Sequence, residues 1–127
     1  DTEMMSIAAC LPPCLSHFNL SVENCVAVTD TGVCSIAAKL QSLPLQTLEL
    51  DFVSCDLSDK SLVALASHLP STLVEVKLHF DHNSRISKTA VKLLAEKLPS
   101  GVKTLTATFN KTACNESFSS VKRIRQL

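Results

Sequence analysis

Four side chains near the start of the chain, Cys10, Cys14, His17 and Cys25, are of the types that bind zinc. Structural zinc sites use paired knuckles, with a second Cys or His pair at a defined spacing. Here Pro12 and Pro13 lie between Cys10 and Cys14, and no such second pair follows. Cys14 with His17, and Cys55 with His79, come nearest to a nucleophile and its base. Neither has a third group to orient the base or a nest of donors for an oxyanion. Glu49 and Asp51 alternate in sequence, which sets them about 7 Å apart on one face of an extended strand. Without a cleft they read as a surface pair rather than an acid and a base. His68 and His82 fall at a helix end and in a strand-to-helix loop. The expectation is a non-enzymatic chain with no catalytic residue, metal or cofactor.

Composition sets the bounds within which these residues must be positioned. A length of 127 residues argues for one domain, and 46% hydrophobic against 19% charged residues argues for a packed core over disorder. Twelve basic residues balance twelve acidic ones, and the five Phe are the only aromatics, so nucleic acid is not an expected partner. Two glycines are too few for a phosphate cradle. No apolar run approaches the roughly 20 residues of a membrane helix, and the first residues lack the positive region of a signal peptide. Six cysteines are below the density of small disulfide scaffolds, which favours reduced thiols and a cytoplasmic setting. Sequons at Asn19, Asn110 and Asn115 keep an extracellular setting open.

A period of 29 residues dominates the chain: Leu11, Leu40, Leu69, Leu98 and Leu127 follow it, as do Ile7, Ile36, Leu65 and Leu94. Ala8, Ala37, Ala66 and Ala95 form a third column in register. One half of each period alternates, as in Phe18, Leu20, Val22; Leu48, Leu50, Phe52; Val76, Leu78, Phe80; and Leu105, Ala107, Phe109. That is the pattern of a short strand with one apolar face. The other half has helical spacing: Val33, Ile36, Ala37, Leu40; Leu62, Leu65, Ala66, Leu69; and Val91, Leu94, Ala95, Leu98. Asp30, Asp59 and Ser87 mark the helix starts as caps or first-turn residues, and Pro44, Pro70 and Pro99 follow the helix ends. Cys25, Cys55, Asn83 and Thr112 recur between strand and helix.

Residues 45–69, LQTLELDFVSCDLSDKSLVALASHL, resemble a leucine-rich repeat, and the period with its full helix is similar to the ribonuclease-inhibitor-like class. The stretch Cys25-Val-Ala-Val-Thr-Asp-Thr-Gly-Val also resembles the cysteine-containing repeats of F-box proteins. The resemblance implies an α/β leucine-rich-repeat solenoid, with parallel strands on a concave face and helices on the convex one. Stacked units then share one core that a single unit cannot build. The resemblance divides the chain into the end of a preceding repeat (1–14), repeats at 15–44, 45–72 and 73–101, and a degenerate last repeat at 102–127. That last repeat has Ala107 in a leucine column and Thr112 where Cys or Asn is usual, and its helix is expected around Phe118–Leu127. Asp1 begins within a helix half and Leu127 ends in a leucine column, which predicts a fragment of a longer array.

Strand alternation turns the remaining residues outward in four rows: His17, Asn19, Ser21 and Glu23; Thr47, Glu49, Asp51 and Val53; Glu75, Lys77, His79 and Asp81; and Thr104, Thr106, Thr108 and Asn110. The sheet is expected to be edge-free along its length. An ordered, shallow, polar face suits a protein or peptide better than a small ligand. Glu49, Asp51, Glu75 and Asp81 favour a basic partner. Residues 1–59 hold eight acids and one base, and residues 60–127 eleven bases and four acids, which would let repeats of the same protein stack end to end. The function expected is a protein-binding scaffold. The alternatives are a substrate-recognition segment of an F-box-type ubiquitin-ligase adaptor, for which an F-box would lie beyond these residues, or a structural interior segment of a longer array.

Overall fold

In the computed structural model, which describes residues 1–127, the alternating segments are strands and the segments of helical spacing are helices. The order is α1 (Thr2–Cys10), β1 (His17–Ser21), α2 (Asp30–Leu40), β2 (Thr47–Asp51), α3 (Asp59–Ser67), β3 (Glu75–His79), α4 (Lys88–Lys97), β4 (Thr104–Thr108), β5 (Ser117–Phe118) and α5 (Val121–Arg125). The strands form one sheet in chain order, with β1 to β4 parallel and β5 antiparallel to β4. Strands and helices thus alternate in an α/β chain whose sheet is mostly parallel. No helix is long and apolar enough to cross a membrane.

Period-two burial makes each strand two-faced. Leu48, Leu50 and Phe52, Val76, Leu78 and Phe80, and Ala107 and Phe109 have no exposed surface. Their helix counterparts Val33, Ile36, Ala37, Leu40, Leu62, Leu65, Val91 and Leu94 are equally enclosed. Phe52, Phe80, Phe109 and Phe118 run as a spine across the sheet, with ring centroids 5.7, 5.9 and 6.4 Å apart. These separations fall in the range of attractive aromatic pairs.

The sheet is not edge-free, contrary to the expectation above. β1 has a neighbour on one side alone, and its inward residues Phe18 and Leu20, with Val22 just beyond, are half-buried where their equivalents in later layers are enclosed. The far side is different. The chain reverses after β4, and Phe109 N donates to Glu116 O at 2.8 Å. Lys111 and Asn115, at φ of 59° and 52°, make the reversal, with the Asn115 side-chain oxygen accepting from Lys111 N. The expected helix from Phe118 is therefore shorter: Phe118 sits in β5, buried against Phe109, and α5 starts at Val121. Covering the last Phe of the spine decides this local choice, because an exposed ring there would lose its apolar burial.

Backbone pairing continues past the strands. Asn24 N donates to Val53 O, Ser54 N to Asp81 O and His82 N to Asn110 O. Asn24, Ser54, His82 and Lys111 all have φ near 60°, turning the chain inward at the same step of every layer. The next residues are Cys25, Cys55, Asn83 and Thr112. Asn83 is a buried bracket. Its Oδ1 accepts from Cys55 N (3.2 Å) and Leu57 N (2.9 Å), and its Nδ2 donates to Phe52 O (2.8 Å) and Phe80 O (2.9 Å). Loop groups that leave the sheet ladder must find such partners when buried.

Thr29, Ser58 and Ser87 are the caps of α2, α3 and α4, so Asp30 and Asp59 are first-turn residues. Those carboxylates also reach the next layer. Asp30 accepts from Ser58 N, Ser58 Oγ and Ser61 Oγ, and Asp59 accepts from Ser87 N and Ser87 Oγ. Asp1 holds Thr29 N and its hydroxyl in the same way.

Candidate interaction surface

The outward residues of β1 to β4 lie in strict register. His17, Thr47, Glu75 and Thr104 make one line across the sheet, Asn19, Glu49, Lys77 and Thr106 the next, and Ser21, Asp51, His79 and Thr108 a third. Glu23, Val53, Asp81 and Asn110 extend the face just beyond the strands. All sixteen are exposed or half-buried, and all but Val53 are polar, so this is one continuous, largely polar face.

Cross-strand bonds order it. His17 Nδ1 and Thr47 Oγ1 share a hydrogen bond of 2.7 Å, and Asn19 Nδ2 donates to Glu49 Oε2 at 3.3 Å. Along β3 itself, Lys77 Nζ stands 3.7 Å from Glu75 Oε1. Glu49 and Asp51 keep to the same face, but each has its own partner: Asn19 for Glu49, and Val53 N, at 3.2 Å, for Asp51.

Near the ends of the strands the bonds join into a chain. Thr108 Oγ1 donates to Asp81 Oδ2 at 2.8 Å and lies 3.1 Å from His79 Nδ1. With its proton committed to Asp81, the hydroxyl accepts from His79, which assigns the His79 proton to Nδ1 and leaves Nε2 as an acceptor. Asn110 N donates to the other Asp81 oxygen at 2.5 Å. Beside this relay the Asp51 carboxyl shares a hydrogen bond with Glu23 and repels its charge. Together with desolvation this raises Glu23 above the usual carboxylate range, while the nearby His79 opposes the shift. The relay and the carboxyl pair were invisible as sequence signals, because Glu23 and Asp51 are 28 positions apart and meet only through the strand register.

Cys55 and His79, weighed as nucleophile and base, are not brought together. Cys55 is fully enclosed, and its Sγ donates to Val22 O at 2.9 Å, while His79 points outward to Thr108. Cys10 and Cys14 are exposed, beyond the edge of the sheet. No group of three or more His, Cys, Asp or Glu is placed to hold a metal ion. The surface hollows are lined by helix-side and carboxy-terminal residues such as Asp30, Cys34 and Lys60, or Lys92, Ile124 and Leu127. The strand face itself is shallow, a shape suited to a macromolecule. Neither the protein-family models nor the curated proteins contain a match to this chain.

Proposed function

We propose that this chain is a leucine-rich-repeat solenoid of the ribonuclease-inhibitor-like type and that it binds a protein or peptide partner through its strand face. The observation that supports this reading is the register of that face. Four parallel strands and the residues just beyond them present Glu49, Asp51, Glu75 and Asp81 around one cation, Lys77, which pairs with Glu75 along β3, and cross-strand bonds hold much of the face in place. Pre-ordered side chains lose little entropy on binding. Their negative field steers a basic partner and makes the encounter depend on salt. Fold alone assigns no activity, so ribonuclease inhibition does not follow from the likeness.

The test is a binding screen of immobilised chain against arrays of Lys- and Arg-rich and acidic peptides, repeated with Glu49→Lys and Glu75→Lys. Retention of basic sequences by the native chain, weakened at least tenfold in the variants and by raised salt, supports the reading. Equal retention by native and variant chains would remove the strand face from consideration.

One observation favours a second reading, a structural segment within a longer array. Phe18, Leu20 and Val22 are half-buried at a free sheet edge, as a layer short of one neighbour would be.

A further inference from the structure

Two thiols occupy the same step of adjacent layers. The pairing of Ser21 with Asp51 continues through Asn24 N to Val53 O, which brings Cys25 level with Cys55. Neighbouring main chains in such a ladder lie about 5 Å apart, inside the Cα separation of about 4.4–6.8 Å that a disulfide spans. The Cys55 side chain is aimed at the Cys25 layer, since its Sγ donates to Val22 O at 2.9 Å. Cys25 belongs to the layer of β1, which has a strand neighbour on one side alone, and is half-buried where Cys55 is enclosed. Both thiols are reduced in the structure.

The other cysteines have no such counterpart. Cys34 lies on the outer side of α2 near Lys60 O, and Cys114 is buried in the reversal after β4. The next ladder positions are Asn83 and Thr112, which cannot be oxidised in this way.

We propose that Cys25 and Cys55 form a peroxide-sensitive pair that closes into a disulfide between the first two strand layers. Cys25, the accessible member, attacks hydrogen peroxide as the thiolate. The O–O bond breaks and hydroxide leaves, taking up a proton to become water. The Cys55 sulfur then attacks the Cys25 sulfenic sulfur, the S–O bond breaks, and the Cys55 proton departs with the hydroxyl as a second water. Two thiols and one peroxide thus give one disulfide and two waters. Burial pushes the Cys55 thiol up, and the Cys25 backbone N–H directed at its sulfur partly offsets this. The more accessible Cys25 is therefore the thiol that meets the peroxide first.

The experiment treats the folded full chain with hydrogen peroxide, blocks remaining thiols with iodoacetamide under denaturing conditions, and digests with trypsin and a Glu-specific protease. Tandem mass spectrometry then reads the Cys25 and Cys55 peptides. The expected product is a crosslinked pair two hydrogens lighter than the sum of the free peptides. It is absent from Cys25→Ser and Cys55→Ser, retained in Cys10→Ser and Cys34→Ser, and reversed by dithiothreitol. The crosslinked chain should also melt several degrees higher, because a loop of the unfolded chain is closed. Free alkylated Cys55 beside oxidised or unreacted Cys25, or Cys25 joined to a different cysteine, would overturn the proposal. A variant that fails to fold leaves the native chain's own crosslink map to decide.

Discussion

The Asp59 carboxylate takes both the backbone N–H and the hydroxyl of Ser87, each at 2.6 Å, and so ties the first turn of α3 to the cap of α4. The same tie joins Asp30 to Ser58, and Asp1 to Thr29, always 28 residues along the chain. Each carboxylate thus satisfies an orphan N–H at the next helix start and stands in the positive field of two helix N-termini. One layer beyond Asp59 the position is Lys88, which pairs instead with Glu116 at 3.9 Å. Ser120 there caps its own helix through Arg123 N and has no carboxylate partner. The ladder accounts for part of the charge drift along the chain: three of its acids belong to the first 59 residues.

Removing one rung should be measurable. Asp59→Ala is expected to lose about 1.5–3 kcal/mol, the range for hydrogen bonds to charged groups. Ser87→Ala should overlap with it, so that the double variant costs less than the sum. Urea titration of the four-membered cycle checks this, and strict additivity would show that the two side chains do not act together.

Asn83→Ala should be among the most damaging single changes. It leaves the buried Cys55 N, Leu57 N, Phe52 O and Phe80 O short of their partner. A loss of about 3 kcal/mol or more is expected, since each orphaned buried group costs about 1–3 kcal/mol. Chemical denaturation reporting under 1 kcal/mol would mean that water replaces the bracket.

Leu50 and Leu20 occupy the same column in adjacent strands, one enclosed and the other half-buried. Leu50→Ala should cost about 2–5 kcal/mol and Leu20→Ala clearly less, because a half-exposed site leaves a smaller cavity. Equal losses in parallel urea titrations would show that the free edge of β1 is covered in solution.

Two carboxyls should respond to pH in opposite senses. Burial pushes Asp30 up, but hydrogen bonds from Ser58 and Ser61 and the charge of Arg85 outweigh it, and the net shift is downward. Its stabilising contribution is present above its unfolded value near 4 and is lost as pH falls through the lower folded value. The stability gap between native chain and Asp30→Asn should therefore close below about pH 4. Glu23 is raised, so its contribution is complete at low pH and is lost as pH rises through the folded value. Glu23→Gln should accordingly raise Tm at pH 7 and leave it unchanged near pH 3. Melting curves across that range separate the two signs.

Much of the architecture was legible because it is local. Alternation in Leu48-Glu49-Leu50-Asp51-Phe52 specifies a two-faced strand, and Leu62, Leu65 and Ala66 specify a helix stripe, whatever lies next to them. The outward rows followed from the same alternation, and the structure keeps every member of them at the surface. Phe118 reads as helical in the sequence because its neighbours are weakly patterned, whereas its contact with Phe109 of the preceding layer sets its position in β5.

By itself, then, the amino-acid order determined the period, the type of each element except β5, and which side chains of β1 to β4 face outward. All of these depend on residues a few positions apart. Only the tertiary structure decided that Asp30 serves the next helix as well as its own, that Asn83 brackets Cys55, that Glu23 meets Asp51, and that the sheet is open beside β1 and turned back after β4. Those are contacts between layers about 29 residues apart. They exist only once strand register has set which residue of one layer stands beside which residue of the next.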